Sequence, residues 1–491
     1  MKHYYLCFKE GSKINQILCA ILINLPAFAY GASIGWMSPM SLLLQSENSP
    51  RGTPLTDSEV SWMAAAAYLT CIPADFLMAF LGDKLGRKKT LLFMSTVTVV
   101  KSKIKWILIL MTNIKDAMCW LLKLCSMDTW AFVTARALLG ITMAGAYVTC
   151  PTYTKEISDP SMRGMLGSML IFAHTTGNLF LYIIGDVFSY RAILWVCVSI
   201  PAAHLILFLG MPESPSYLVK KGNYEEAAKV LGWLRCRDKD DQKIVNELDE
   251  MRREQKADEE TITDSVLFRA FRIAMFVSLA REVCGAIPVL NFAGEIFKKA
   301  STTLVLSPNQ QAMMLGAVQV AGSAVGSSVV EKAGRKPLLF ITSLVSGLSM
   351  CALASWFLVR DYDVLAPDWI PVATLCLCIF CDSSGLQPVS VVIIGEMFSF
   401  KYRGTVMATA MASASFAAFL QALFFKPLVA AVGVHVAFYF FGAVCLVSSV
   451  YILISVPETK MRSVEEIHLN LRTKKEKERA IEKAKAIEAQ A

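Results

Sequence analysis

Arg281 and Glu282 stand side by side in the apolar run from Ile273 to Ala293. Charges in so oily a segment are costly and face either a partner or a wet cavity. The pair allows three readings: a mutually satisfied or gate-adjacent structural pair, a substrate site, or damage in a chain that has lost its activity. Sequence neighbours do not share one helix face, which leaves pairing with residues elsewhere open beside the mutual pair. A second group of charges recurs in order. Asp83, Arg87, Glu156, Arg163 and Glu213 are followed by Glu331, Arg335, Glu396, Arg403 and Glu458. Carboxylates and guanidinium groups repeated in this way suit pairing across two halves of a molecule. Such pairs close one end of a passage and separate when it opens. No nucleophile, base or cofactor motif of an enzyme is visible, so no catalytic residue is assigned. Cys378 and Cys381 have metal-like spacing but lie in an apolar run with no His nearby. They read as packing residues, and neither a metal nor a cofactor is expected.

The elements that must hold these charges follow from composition. The 491 residues are 55% hydrophobic and only 18% charged, where soluble domains average ~25% charged. At ~20 residues for each membrane helix, the chain supplies about twelve spans. Length excludes a small disulfide scaffold and composition excludes a disordered chain. The 14 cysteines sit mostly in apolar runs, where a thiol is a small hydrophobe.

Apolar runs extend from Gln16 to Met40, Ser61 to Leu81, Trp130 to Cys150, Met165 to Gly185 and Ala192 to Leu209. Six more follow a polar interval: Ile273 to Ala293, Gln311 to Val330, Leu338 to Val359, Ile370 to Ile394, Thr405 to Phe425 and Gly433 to Val456. The first reads as a span and not as a cleavable signal peptide. The missing one should lie between Thr90 and Met127, where Lys101, Lys103, Lys105, Lys115 and Asp116 break the pattern. Striking out Val100 to Ala117 leaves an apolar helix interrupted only by Lys123, so that segment is read as an insertion. The net charge of +8 reports orientation: Lys and Arg concentrate in alternate loops, the central loop and the tail, which puts both termini in the cytoplasm. No basic cluster is interleaved with aromatics, so nucleic acid is excluded as a partner and the lipid bilayer is expected.

The halves repeat. Asp83-Lys-Leu-Gly-Arg87-Lys matches Glu331-Lys-Ala-Gly-Arg335-Lys, Glu156 before Arg163-Gly164 matches Glu396 before Arg403-Gly404, and Pro212-Glu213-Ser214 matches Pro457-Glu458-Thr459. Matches in order at an offset of about 240–250 residues mean duplication of a six-helix unit, with a substrate site near the midplane between the copies. The expected division is a six-helix half over 1–211, a cytoplasmic helical loop over 212–270, a second half over 271–456 and a tail over 457–491. Gly31 to Gly35 and Gly322 to Gly326 carry the spacing that lets membrane helices approach closely.

With these motifs assembled, the chain resembles the sugar porter family of the major facilitator superfamily over essentially its whole length. Gly82-Asp83-Lys-Leu-Gly86-Arg87-Lys-Lys, Arg136-Ala-Leu-Leu-Gly140, Pro151-Thr-Tyr153-Thr-Lys-Glu156, Pro212-Glu213-Ser214-Pro215, Gly334-Arg335-Lys336, Gly395-Glu396-Met-Phe and Pro457-Glu458-Thr459-Lys460 carry the likeness. Gly35-Trp36-Met-Ser38-Pro39, with the Gly395 segment, is similar to insect facilitated trehalose transporters. The resemblance implies an all-α membrane protein of about twelve spans in two pseudo-symmetric halves, an inner gate made of the repeated charges, and alternating access of a sugar. The family's sugar contacts are altered: they fall on Ile171, on Arg281 to Ile287, on Val389 and on Ser415-Phe416. Candidate substrate-binding residues are His174, Thr175, Asn178, Arg281, Glu282, Gln319, Ser384 and Gln387, each of which could equally form an interhelical hydrogen bond.

The expected function is facilitative transport of a sugar, trehalose or a hexose, through a plasma membrane; the alternative is a transporter-like sugar sensor or non-transporting paralogue. Members of the family driven by protons place an Asp in the first span within Gly-Tyr-Asp; here the segment is Gly31-Ala32-Ser33, and a serine hydroxyl does not titrate in the working range. Asp75, Glu282 and Asp382 are the substitutes an uncoupled carrier must leave unused. If Val100 to Ala117 is retained intron sequence, amplification of the mature transcript across Thr90 to Met127 will return a message without it. A message encoding the segment, with a product that folds and transports, would defeat that reading.

Overall fold

The computed structural model describes residues 11–472 apart from 48, 96–113, 258–263, 293–294, 298–306, 363–365, 368, 399 and 463. Among the described residues the regular elements are helical, and 11 helical stretches are long and apolar enough to cross a membrane. The first stretch is bent. It consists of α1 (Ile14–Ile23), α2 (Leu25–Gly35) and α3 (Met37–Leu44), with breaks at Asn24 and Trp36. Pro26 explains the first break, because proline suits the opening turn of a helix but cannot continue one. Next comes α4 (Asp57–Leu85), started by a capping box in which Thr56 and Glu59 satisfy each other's backbone.

Two shorter helices follow, α5 (Arg87–Ser95) and α6 (Ile114–Cys125), both lying against α7 (Thr129–Ile157). Together they take the place of the interrupted span. The segment read as an insertion falls outside the described residues except for Ile114 to Ala117, which open α6. Lys123 of α6 is fully buried, and its ammonium sits between the rings of Trp36 and Trp120, 3.9 and 4.1 Å from their centroids. The cation is thus held between two indole faces. The first half ends with α8 (Arg163–Val187) and α9 (Tyr190–Phe208).

A polar stretch holds three helices, α10 (Pro215–Lys220), α11 (Tyr224–Arg235) and α12 (Gln242–Ala257), with Arg235 bonded to Glu247 at 2.6 Å to join the last two. The second half comprises α13 (Asp264–Glu282), α14 (Ala286–Asn291), α15 (Pro308–Ala333), α16 (Arg335–Asp361), α17 (Trp369–Cys381), α18 (Gln387–Met397), α19 (Phe400–Val432) and α20 (Val434–Ser455). A π-helical turn, Asp382–Leu386, links α17 to α18. A last helix, α21 (Val464–Leu471), rests against α13 and α18.

Close packing within each half depends on small residues. Gly31 and Gly35 of α2 lie on the backbone of His174 and Asn178 in α8, and Gly177 returns the contact against Phe28. Gly322 and Gly326 of α15 lie against Phe380 and Ser384 in the same manner. At these points a side-chain carbon would strike rigid backbone, so helices seat closely through dispersion and not through a hydrophobic gradient that lipid does not supply. Gly31→Val should destabilise the purified protein by about 1–3 kcal/mol, the usual effect of overpacking, seen as a lower melting temperature in detergent. Gly82→Ala, where an added carbon meets nothing within 4 Å, should leave that temperature unchanged or raise it.

Candidate functional site

Two helices lose regularity at one depth, and their breaks enclose a central cavity. The chain leaves α13 after Glu282 and restarts as α14 through Gly285, whose φ of +89° is open to glycine and strained for other residues. Phe441 packs where a Gly285 side chain would stand. The π turn at Asp382–Leu386 likewise carries Asp382 and delivers Gln387 to the cavity wall. Such interruptions are tolerated within a membrane where they line a polar cavity. The enclosed space is about 50 Å³.

Among the described residues Arg281 and Glu282 pair with each other, guanidinium to carboxylate, as in the first of the three readings, and not with partners elsewhere. The reason is local. Glu282 is the last residue of α13, so the 100°-per-residue rule that separates helical neighbours no longer constrains it. Gln421 of α19 donates to the Glu282 carbonyl at 2.8 Å, fixing this helix end. His174 reaches the same space, stacked on Tyr30 with centroids 5.3 Å apart, and Gln387 donates to the Tyr147 hydroxyl at 3.1 Å across the two halves.

The other four candidates lie outside the lining. Thr175 meets Ser323 at 3.0 Å and Asn178 donates to Gln319 at 3.0 Å, tying α8 to α15, while Ser384 turns to the Cys381 carbonyl. Tyr30, Tyr68, Tyr147, Asn291 and Ser415 line the cavity and were not among the candidates. Asp75 and Asp382, considered only as proton carriers, line it too. The available signal was the rule that an ionisable residue inside a span is functional by default. Four lining atoms, His174 Nδ1, Arg281 Nε, Asn291 Oδ1 and Gln387 Oε1, are buried without a hydrogen-bond partner among the described residues.

The repeated motifs gather at one end of the molecule. Arg87 bonds Glu156 at 3.0 Å and Asp83 at 3.1 Å, and donates to the Gly82 carbonyl; Ser214 donates to Glu156. The second half reproduces this with Arg335 on Glu396 at 2.8 Å and on the Val330 carbonyl, and Thr459 donating to Glu396 at 2.6 Å. Glu213 accepts from the Lys88 backbone N–H and Glu458 from those of Arg335 and Lys336, so each carboxylate caps a helix start. Gly86 and Gly334, at φ of +98° and +89°, make the turns, and a side chain at either would collide with those same carboxylates.

Burial pushes the Glu213 carboxyl above its ordinary range, outweighing its N–H donors. Burial works the same way on Glu458, but the backbone N–H groups of Arg335, Lys460, Lys336 and Thr459 outweigh it and hold that carboxyl below the usual range.

These ion pairs lie within each half and not across the two, because each arginine is drawn to the glutamate that duplication placed beside it. Arg403 donates to the Phe398 carbonyl. Arg163 is exposed and makes no ion pair among the described residues. The Glu331 side chain lies outside the described residues. Contacts between the halves at this end are Lys155 donating to the Gly395 carbonyl and Asp83 lying over Gly404. At the opposite end Lys426 of α19 bonds Asp57 of α4 at 2.8 Å, beside an outer hollow of about 680 Å³, and Asn309 donates to Asp186 at 2.7 Å. Both ends are therefore bridged around the central cavity.

The family model described as sugar (and other) transporter matches residues 18–471. The facilitated trehalose transporter Tret1 of Polypedilum vanderplanki is 26% identical over 459 residues, 92% of this chain and 87% of that one. The Tret1-2 homolog of Drosophila sechellia is 26% identical over 471 residues, 93% and 92% of the two chains. Among solved structures, the proton:xylose symporter XylE bound to 6-bromo-6-deoxy-D-glucose superposes with a TM-score of 0.77 at 20% identity, covering 94% of this chain and 100% of that one. A partially occluded inward-open form of the E. coli xylose transporter gives 0.71 at 18% identity, covering 91% and 100%. The fold is that of the major facilitator superfamily, and the chain belongs to the sugar transporter family within it.

The two kinds of contact at the motif end should separate on mutation. Arg87→Gln leaves Glu156 buried without its cation, a loss of about 3–5 kcal/mol, and should lower the melting temperature sharply. Lys155→Met removes a bridge between the halves. It should raise cysteine labelling at the motif end with little change in melting temperature, since only contacts that differ between conformations shift their balance.

Proposed function

We propose that this member of the sugar transporter family is a facilitative carrier that moves a sugar, trehalose or a hexose, through the plasma membrane by alternating access, as a multi-pass protein with both termini in the cytoplasm. The observation that carries the reading is a polar cavity at two broken helices, bridged above and below by contacts between the halves. Contacts of this kind on both sides of the cavity suit a carrier, in which one set parts at a time to let the solute exchange with that side. A cavity of about 50 Å³ is also smaller than the ~300 Å³ at the lower end of ligand pockets, so a sugar enters only as the halves separate.

His174, Arg281, Glu282 and Gln387 are the substrate contacts we favour, because their unpartnered or buried polar atoms face the cavity. Thr175, Asn178, Gln319 and Ser384 serve as ties between helices. The names of the insect relatives support trehalose, and hexose recognition would have to proceed without the family's usual contacts at Ile171, Val389 and Phe416. Asp83, Arg87, Glu156, Glu213, Arg335, Glu396 and Glu458 make a rigid frame at the cytoplasmic end, on which Lys155 and its neighbours form the moving part of the gate.

Uncoupled transport rests on Ser33, whose carbonyl accepts from the fully buried Arg136 at 2.7 Å, so the first span offers no carboxylate to carry a proton. Proteoliposomes holding a pH-sensitive dye test this. Net flux of trehalose or glucose only down its own gradient, indifferent to a protonophore, is expected. Sugar-driven acidification or accumulation under an imposed pH gradient would overturn uncoupled transport, and binding without flux would favour the sensor.

A further inference from the structure

The charges that line the central cavity do not balance. Asp75, Glu282 and Asp382 face it with Arg281 as the one guanidinium. Arg281 gives its hydrogen bond to Glu282 and acts at longer range on Asp382. Among the described residues Asp75, fully buried, meets the Cys71 thiol at 3.6 Å and the Ser415 hydroxyl at 3.5 Å. Acids this deep are either protonated or matched by a counter-charge, because an unpaired buried ion is among the most costly features a fold can hold, so a cation entering the cavity would meet groups ready to ionise against it. The walls suit a cation as well: the rings of Tyr30, Tyr68 and Tyr147 line the same space, and aromatic faces attract ammonium groups. The buried and unpartnered Asn291 Oδ1 and Gln387 Oε1 add neutral acceptors, aimed into a site whose occupant must bring donors.

We propose that the preferred solute of this site is a sugar bearing an ammonium group, with Asp75 and Asp382 as its counter-ions and the three tyrosines as its aromatic wall. The inference rests on the sugar-carrier reading and narrows it. A neutral polyol would fill the acceptors and gain nothing from the acids, whereas an amino sugar would fill the acceptors and pair its ammonium with an ionised carboxylate.

The test uses the full chain reconstituted in proteoliposomes and compares labelled glucosamine, glucose and N-acetylglucosamine at equal low concentration. Acetylation keeps the nitrogen and removes its charge. Glucosamine should enter faster than glucose on the order of tenfold, the effect of one charge-assisted hydrogen bond, and N-acetylglucosamine should behave like glucose. Asp75→Asn should bring the glucosamine-to-glucose ratio close to one. Measuring that ratio within one preparation removes the effect of any loss of folded protein, which lowers both fluxes alike. Equal uptake of glucosamine and glucose by the unmodified chain overturns the inference and leaves the sugar carrier standing. Glucose uptake accompanied by protons, without preference for the amino sugar, overturns it by assigning the carboxylates to the proton. Flux of none of the three overturns the carrier reading itself.

Discussion

The structure depends on pairing charges that water cannot reach. Arg87 with Glu156 is buried and Arg335 with Glu396 largely so, and each guanidinium, set at the turn between consecutive helices, also donates to a carbonyl in the last turn of the preceding helix. The helix therefore ends, the chain turns at a glycine, and the next helix begins under a carboxylate from a distant segment, Glu213 or Glu458. A guanidinium with rigid, forked donors can bond a carboxylate and carbonyls together, which a lysine ammonium on a flexible stem does less well. One local device thus sets helix ends, turn geometry and the packing of three segments in each half.

Since these networks are internal to the halves, each half can move as a body while its own charges stay satisfied. Between the halves, by contrast, the polar bridges are single contacts: Lys155 on a carbonyl at one end, Lys426 on the exposed Asp57 at the other, and Thr175 on Ser323, Asn178 on Gln319 and Gln387 on Tyr147 between them. This division of labour is what a rocking mechanism requires. Strong contacts hold what must remain rigid, and weak ones hold what must part.

Much of this was legible in the sequence, and for identifiable reasons. Spans announce themselves by length and oiliness, and duplication shows as repeated charges, because both signals are additive along the chain. The direction of pairing was not legible. Arg87 has acidic partners available in either half by motif alone, and only three-dimensional packing chooses Glu156. The mutual pairing of Arg281 and Glu282 stayed one of several open readings, since the helical rule that separates neighbours fails where a helix stops, and nothing in Val283-Cys284-Gly285 alone declares the stop. The tyrosines of the cavity escaped notice because an aromatic in an apolar run has no periodic mark of facing a void. Thr175, Asn178 and Gln319, chosen for polarity, went to ties between helices, the commoner use of such residues in lipid.

The π turn at Asp382–Leu386 has an evolutionary side. A π turn holds one residue more than the α turn it replaces, and in an α-helix each residue adds 100° of rotation. Side chains beyond it, Gln387 among them, therefore face a direction that an uninterrupted helix would give to a neighbour one position away. A lineage that gained or lost a single codon in this turn would present a different set of residues to the cavity while the outer spans kept their places. Specificity in this chain can drift by indel as well as by substitution, and relatives of nearly identical architecture can diverge in what they carry through one change of register.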